Sequence, residues 1–242
     1  MQSVFVISSF VAGSNVGGGL AMKVLPQLGH EVSLLPTTML GRHPGWGAPG
    51  GGVVSTEMFA DMMEGLEAND LPAHCDAVIT GYFGDPAQVK LAAELIERSV
   101  KGRAPVIIDP ILGDEGKGLY VGEAVSEAMI THLVPLADAM TPNAWELAFL
   151  KDRVAPERLG IIDVYETSAR EGDQIGIHGP DGGFSGADIL PETDVPNGVG
   201  DLTTLLIADC LVSGRNVSLS EIIGRLLIQI GRSDAGEISA IL

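Results

Sequence analysis

The distribution of hydrophobic residues along the chain predicts short strands that alternate with helices. Short runs that are rich in apolar residues predict strands at residues 4–8, 32–35, 77–80, 105–109, 138–140, 161–167 and 174–178. Apolar residues at helical spacing predict helices at 17–28, from 55 or 56 to 66, and at 86–98, 123–133, 143–150, 199–212, 219–230 and 238–242. This alternation is typical of a parallel sheet with helices on both faces. We therefore expect an α/β fold of three layers, α/β/α, with a mostly parallel sheet.

The loops between these elements are rich in glycine. Glycine accounts for 32 of the 242 residues. Two glycine-rich segments, 37–54 and 113–118, are predicted to be irregular because glycine weakens helices and strands. The chain has no Ser/Pro-rich linker and no fixed-period repeat, so we interpret residues 1–242 as one domain.

Parallel α/β sheets bind ligands at the carboxyl ends of their strands. Polar residues that directly follow predicted strands are therefore the first candidates for a functional site. They are Ser8, Ser9, Thr37, Thr38, Tyr82, Asp109, Thr141, Asn143, Thr167 and Ser168.

The charge of the chain narrows the choice of partners. It has 14 Lys and Arg residues against 32 Asp and Glu residues, a formal net charge of −18. Nucleic acid and anionic membranes are excluded as partners because both require clustered basic residues. No apolar run reaches the ~18 to 20 residues of a membrane span, and no basic segment precedes the first strand as in a signal peptide. With two cysteines, Cys75 and Cys210, outside any CxxC pair, we expect buried thiols and a cytoplasmic protein.

Several common catalytic motifs are absent from the sequence. There is no GxxxxGK[ST] phosphate loop and no GxSxG nucleophile turn. The five histidines lack metal-binding spacing such as HExxH. These absences argue against a P-loop ATPase, a serine hydrolase and a zinc enzyme.

The segment 197–201, Asn-Gly-Val-Gly-Asp, precedes the predicted helix 199–212 and is the first candidate for chemistry. Its glycines allow backbone N–H groups to face an anion at a helix N-terminus, where the helix dipole favours negative charge. Asp201 can then accept a proton from a hydroxyl that attacks a phosphoryl group. The alternative is that Asp201 only caps the helix.

Two further acidic positions are candidates for a metal or nucleotide site. Asn143 and Glu146 have the spacing of a capping box, and the same oxygens suit Mg²⁺ held through water. Asp109 ends a buried strand, where a carboxylate requires a partner. If Asp109 and Glu146 lie close to a triphosphate, they would hold a metal ion there. So acidic a protein needs such a cation to bind the anionic ATP.

These motifs together resemble the ribokinase-like superfamily of small-molecule kinases. The resemblance rests on GVGD before a helix, NxxE after a strand and the segment DP-x-x-GDxGKG, which occur in the superfamily's order across nearly the whole chain. Within it, the sequence is most similar to pyridoxal kinases, which phosphorylate B6 vitamers. Ser9, the segment from Val32 to Thr37 with His43, and Gly81-Tyr82-Phe83-Gly84 also fit this family's pattern.

The resemblance implies an ATP-dependent transfer of the γ-phosphoryl group to the 5′-hydroxyl of pyridoxal, pyridoxine or pyridoxamine. Asp201 would be the base, and residues 198–200 would form the anion hole: Gly198, Val199 and Gly200. The substrate contacts implied are Ser9, Thr37, His43 and Tyr82. The residues implied on the ATP and Mg²⁺ side are Asp109, Thr141, Asn143, Glu146, Thr167 and Ser168, with Asp109 and Glu146 as metal ligands, directly or through water.

The resemblance also implies a homodimer, and the sequence leaves open whether a monovalent cation is used. Two other functions remain open as well. One is a hydroxymethylpyrimidine kinase of the same fold, which the substrate loop 37–48 would distinguish. The other is a degenerate relative that binds a vitamer or nucleotide without catalysis, because the span between Asn143 and Gly198 is short for the family.

Overall fold

The computed structural model describes residues 1–191, 195–233 and 236–242 and contains a large parallel sheet. The strands described are β1 (Gln2–Val11), β2 (His30–Leu40), β3 (Gly51–Val53), β4 (Ala77–Thr80), β5 (Val106–Ile108), β6 (Gly113–Asp114), β7 (Gly118–Leu119), β8 (Ala139–Met140), β9 (Asp163–Val164), β10 (Glu166–Glu171), β11 (Gln174–His178) and β12 (Phe184–Asp188). Seven of them form one sheet in the order β3-β2-β1-β4-β5-β8-β9. Of these seven, only the edge strand β3 is antiparallel to its neighbour, so the expectation of a mostly parallel sheet is confirmed.

Helices cover both faces of this sheet. They are α1 (Gly17–Gln27), α2 (Thr56–Glu67), α3 (Leu71–His74), α4 (Pro86–Ser99), α5 (Glu123–Ala128), α6 (Ala144–Lys151), α7 (Pro156–Leu159), α8 (Val199–Val212) and α9 (Leu219–Gly231). Helix α5 continues into a π-helical turn, Met129–Leu133, and a short 3₁₀ turn, Val134–Leu136. Of the helices described, none has the length and apolar character that a bilayer crossing requires.

Strand β1 shows how the sheet divides the hydrophobic core into two layers. Phe5 and Ile7 are fully buried on one face and pack in the cluster that includes α2, α4 and α5. Val4 and Val6 are buried on the other face, in the cluster that includes α1, α8 and α9. Because side chains alternate along a strand, an apolar run without polar interruptions fills both layers.

Two of the predicted boundaries are wrong near the glycine-rich segment 37–54. Strand β2 extends to Leu40, and Gly51–Val53 returns antiparallel to it, with Thr38 opposite Val53. Gly51 has φ +82°, and a Cβ there would lie 2.1 Å from the Met39 carbonyl oxygen, so glycine allows this close pairing. Glycine in this hairpin permits a strand instead of preventing one.

The two ends of the predicted strand 161–167 belong to different sheets. Strand β9 completes the large sheet, whereas β10 begins a separate three-stranded antiparallel sheet with β11 and β12. The register shifts at Thr167–Ser168, and Ser168 has a left-handed backbone with φ +54°. This bulge re-aims the chain between the two sheets.

The C-terminal segment 238–242 is extended, so the helix predicted there is wrong. The chain at this point hydrogen bonds to other elements instead of to itself: Ile238 N–H donates to the Asn197 carbonyl at 2.9 Å. The Leu242 N–H donates to the Gln27 side chain of α1, also at 2.9 Å. Five residues are too few to form a stable helix when these partners are available.

Candidate functional site

The candidate site lies at the carboxyl ends of β1, β4, β5 and β8, where helix α8 begins. Gly198, with φ +91°, is the N-cap residue of α8, and none of the described side chains caps this helix. Asp201 in its first turn is partly buried and accepts a hydrogen bond from the backbone N–H of Gly17, at the start of α1. Asp201 therefore does not cap α8, and the capping alternative does not describe its side chain.

Burial sets the electrostatics of Asp201. Removal from water disfavours the carboxylate and raises the pKa of Asp201 to about 6, while the Gly17 N–H favours the ionised form. A carboxylate with this pKa is mostly ionised near neutral pH and is still basic enough to take a proton. The geometry therefore suits a general base.

Asp109 is held next to Asp201 by side chains from two elements. The Thr204 hydroxyl of α8 donates to Asp109 Oδ2 at 2.9 Å and lies 2.8 Å from the Thr141 hydroxyl. Asp109 is 8% exposed, and burial together with the charges of Asp201 and Glu146 raises the pKa of Asp109 well above its usual range. Three neighbouring carboxylates thus resist simultaneous ionisation, which favours a compensating cation at this place.

A small cavity lies at the strand ends, and both aspartates line it. Asp109, Asp201, Ser8 and Thr80 contribute its polar groups, and its volume is about 20 Å³, room for a single water molecule. The Thr80 hydroxyl is buried there without a hydrogen-bond partner among the described residues. A polar cavity of this size can hold a water that Thr80 would contact.

Asn143 and Glu146 form a capping box at the start of α6, as the sequence predicts. The Glu146 N–H donates to Asn143 Oδ1, and the Asn143 N–H donates to Glu146 Oε2, each at 2.9 Å. Glu146 Oε1 also accepts from the Leu112 N–H at 2.7 Å and from the Gly113 N–H at 3.3 Å. Burial raises the pKa of Glu146 to about 7 despite these donors. Glu146 therefore holds the loop after Asp109 in place.

The acidic residues do not form a cage for a resident metal ion. Among the described residues no group of three or more His, Cys, Asp or Glu side chains converges on one point. Both Glu146 oxygens accept backbone N–H groups, and Asp109 is bonded to Thr204. This donor set fits Mg²⁺ that keeps several waters and arrives with phosphate ligands.

Thr167 and Ser168 lie beside this cluster. The Thr167 N–H donates to the Pro142 carbonyl at 2.8 Å, and Thr167 pairs with Asn143 as an isolated bridge. Ser168 is exposed in its left-handed backbone conformation. Such strain at a sheet edge is common at ligand sites.

Thr37 and Tyr82 lie together on the opposite side of the strand ends. Thr37 is fully buried, and its hydroxyl donates to the Tyr82 carbonyl at 2.6 Å. Gln88 of α4 donates to the carbonyls of Thr37 and Val54 at 2.8 and 2.7 Å. Thr37 thus positions the half-buried Tyr82, whose pKa is raised by burial.

Ser9 and His43 are more loosely connected to the aspartates. Ser9 is buried beside Gly17, so that a Cβ on Gly17 would lie 2.6 Å from Ser9 Oγ. His43 Nδ1 accepts from the Gly45 N–H at 3.2 Å and caps the short turn Pro44–Trp46. Burial lowers the pKa of His43, which the charge of Glu237 partly offsets.

Sequence reasoning missed two residues that hold this site together. Thr204 follows Asp201 by three positions on α8, a spacing that places both on one face of the helix and could have identified it. Gly17 donates to Asp201 through its backbone. Nothing in the sequence near Gly17 signals that long-range contact.

Comparison with known proteins agrees with this geometry. A family model described as phosphomethylpyrimidine kinase matches residues 54–174, half of the chain. A pyridoxal kinase of Burkholderia lata is 28% identical over 239 residues, which cover 90% of this chain and 83% of that protein. A pyridoxal kinase of Deinococcus radiodurans is 31% identical over 151 residues, 62% of this chain and only 51% of that protein.

The fold is likewise shared with a solved kinase. The crystal structure of pyridoxal kinase from Entamoeba histolytica superimposes with a TM-score of 0.84 and 27% identity, covering 100% of this chain and 93% of that one. A second structure of that kinase contains PLP. The chain therefore belongs to the pyridoxal kinase family, phosphotransferases of ribokinase-like fold with an alcohol group as acceptor.

Proposed function

We propose that this protein uses ATP to phosphorylate the 5′-hydroxyl group of a B6 vitamer, with Asp201 as the general base. The observation that carries the proposal is the partly buried Asp201 carboxylate in the first turn of α8, beside an uncapped helix N-terminus. Its relatives from Burkholderia and Deinococcus are pyridoxal kinases, and the Entamoeba kinase was solved with PLP.

The reaction requires a proton acceptor at the attacking hydroxyl. Asp201 takes the hydroxyl proton as the oxygen forms its bond to the γ-phosphorus, and the bond from that phosphorus to the bridging oxygen breaks to release ADP. With a pKa of about 6, Asp201 is ionised in most molecules near pH 7. The Gly17 N–H favours the ionised form of this carboxylate.

The start of α8 supplies the anion hole. The N–H groups of Val199, Gly200 and Asp201 have no partner within the first helical turn, and the helix dipole adds positive potential there. Gly200 lacks a side chain, and a Cβ there would meet no described atom within 4 Å, which leaves this end of the helix open to a phosphoryl group. Donors fixed before the reaction stabilise charge in the transition state without reorganisation.

The nucleotide lies, in this proposal, on the side of Asp109, Thr141 and the capping box of α6. MgATP is the substrate, and Asp109 and Glu146 face its metal ion through water. Ser168 is exposed at the bulge and can reach a phosphate, whereas Thr167 beside it is buried and would contribute through its place next to Asn143. Ser9, Tyr82 and His43 face the vitamer, and Thr37 acts through Tyr82.

A coupled assay of ATP consumption tests the activity. It should be run with pyridoxal, pyridoxine, pyridoxamine and hydroxymethylpyrimidine, beside the variant Asp201→Asn. Asparagine keeps the shape and cannot take the proton, so turnover should fall by about 10² or more while the vitamer still binds. Asp152→Asn, at an exposed position at the end of α6, is the matched control and should keep full turnover.

The same assay separates the alternatives. Preference for hydroxymethylpyrimidine would favour the alternative of a hydroxymethylpyrimidine kinase of the same fold. Vitamer binding without ATP consumption in the wild type would indicate a degenerate binding protein. Equal turnover in the wild type and Asp201→Asn would refute Asp201 as the base.

A further inference from the structure

The C-terminal segment 236–242 forms a strap that crosses the start of α1 and the loop before α8. At one end, the Asn197 N–H donates to the Gly236 carbonyl at 2.8 Å, and the Ile238 N–H returns to the Asn197 carbonyl. At the other end, Gln27 of α1 donates to the Ala240 carbonyl at 2.6 Å. The strap therefore links the proposed anion hole to helix α1.

Glu237 contributes the side chain of this strap that enters the structure. Its two carboxylate oxygens accept one hydrogen bond each, from the Ser14 hydroxyl and from the Asn15 N–H. The Asn15 side chain in turn donates to the Ile238 carbonyl at 2.8 Å. Ser14 is 3% exposed, while Asn15 and Glu237 are partly buried, and hydrogen bonds that a carboxylate accepts are stronger than those between neutral groups.

The hydrogen bonds of Glu237 to Ser14 and Asn15 affect the positions of two parts of the site, Gly17 and Gly198. The turn that Glu237 holds leads within two residues to Gly17, whose N–H bonds to Asp201. The Asn15 carbonyl also lies against Gly198: a Cβ at Gly198 would be 2.2 Å from that oxygen and 2.8 Å from Ile238 Cγ2. One carboxylate thus fixes the base and the anion hole relative to each other.

We propose that Glu237 is a positioning residue for phosphoryl transfer, acting through the turn 14–17 on Asp201 and on the start of α8. This role rests on the proposed function and is geometric, because the Glu237 side chain must reach both donors at once. Its length should therefore matter more than its charge.

A pair of substitutions separates length from charge. Glu237→Asp keeps the charge but is one methylene too short to reach both donors. Glu237→Gln keeps the length: its carbonyl can accept from the Asn15 N–H, and its NH₂ can donate to the Ser14 hydroxyl oxygen. Gln27→Ala is the matched control, because it removes two hydrogen bonds between the same strap and α1 far from Asp201.

Steady-state kinetics with ATP and pyridoxal, vitamer binding by fluorescence and thermal unfolding provide the readouts. We expect Glu237→Asp to lower kcat by about tenfold or more with vitamer Kd within about twofold of the wild type, since small displacements of reacting groups are costly. Glu237→Gln should stay within about threefold of wild-type kcat, and Gln27→Ala should keep kcat even where it lowers Tm.

The other outcomes overturn the inference. Wild-type kcat in Glu237→Asp would show that reach is unimportant, and a loss confined to Glu237→Gln would assign the role to charge. Equal kcat losses in Glu237→Asp and Gln27→Ala would reduce Glu237 to a general anchor of the strap. An inactive wild type refutes the proposed function instead, which keeps the two failures distinct.

Discussion

Hydrogen bonds from single hydroxyl groups stabilise the ionised form of the buried carboxylates of this site. Asp109 has a raised pKa because it is buried beside Asp201 and Glu146, and the Thr204 hydroxyl is one of the few groups that offset this cost. The same hydroxyl contacts Thr141, at the end of β8. Thr204 therefore connects helix α8 to two strands at the point where the phosphoryl group is expected.

The neighbouring Thr203 provides a test of this role. Both threonines are buried in α8, but the Thr203 hydroxyl donates to the Val199 carbonyl of its own helix, at 2.8 Å. Thr204→Val removes the hydrogen bond that favours the ionised form of Asp109, and a typical intramolecular hydrogen bond contributes about 0.5–1.5 kcal/mol. We expect kcat/KM for ATP to fall by about tenfold in this variant.

Thr203→Val should stay within about twofold of the wild type, since it preserves the shape and leaves Asp109 untouched. Steady-state kinetics of the two variants, with circular dichroism to check folding, measure the difference. Equal losses in both would mean that the hydroxyl of Thr204 serves the helix and not the carboxylate.

At the scale of elements, the two ends of α1 show what a glycine does in each place. Gly29 follows the helix with φ +92°, and a Cβ there would meet no described atom within 4 Å. Gly17 begins the helix with φ +53°, and its Cβ would lie 2.6 Å from Ser9 Oγ and 3.0 Å from the Ser9 carbonyl. At position 29, glycine is required only for the left-handed backbone conformation. At position 17, it is also required because a Cβ would collide with Ser9.

Alanine at these two positions should therefore have different effects. Gly29→Ala should cost about 1 kcal/mol of unfolding free energy, the penalty of a left-handed alanine, and leave kcat unchanged. Gly17→Ala should cost more and lower kcat by about tenfold or more, because the N–H that bonds Asp201 must move. Urea denaturation and kinetics of both proteins check this, and an unchanged kcat in Gly17→Ala would contradict it.

The strands and helices also show which parts of the fold can be predicted from the sequence. Strands β1, β4 and β5 and helix α8 are predictable because their apolar runs fill a core layer on each face of the sheet. The sequence also indicates that Asp109 and Asp201 lie at the same edge of the sheet. Asp109 ends a predicted strand, Asp201 lies at the start of a predicted helix, and ligands bind where such strands end. The helix predicted for segment 238–242 is wrong because the backbone of this segment forms long-range hydrogen bonds, to Asn197 and to Gln27 of α1. A local hydrophobic pattern does not encode such contacts.

The same limit explains the residues that sequence reasoning missed. Glu237 reaches Ser14 and Asn15 across more than 200 positions of chain. Gly17 acts through its backbone, which carries no side-chain signature. Thr204, by contrast, is accessible from helical spacing once Asp201 has been identified.

At the scale of the whole molecule, the charge of −18 opposes the nucleotide that the proposed function requires. MgATP is an anion, so the average field of the protein slows its approach, while the local donors at the start of α8 act only at contact. Pyridoxine has no net charge near neutral pH and is unaffected by this field. The two substrates should therefore respond differently to salt.

Raising ionic strength from about 0.01 M to about 0.15 M shortens the Debye length from about 30 Å to about 8 Å and screens the repulsion. We expect kcat/KM for MgATP to rise by roughly two- to threefold over this range, while kcat/KM for pyridoxine at saturating MgATP stays constant. Tetramethylammonium chloride in place of NaCl or KCl controls for binding of a specific monovalent cation. A decrease in kcat/KM for MgATP with salt would mean that a local positive potential at the site, and not the net charge, governs the encounter.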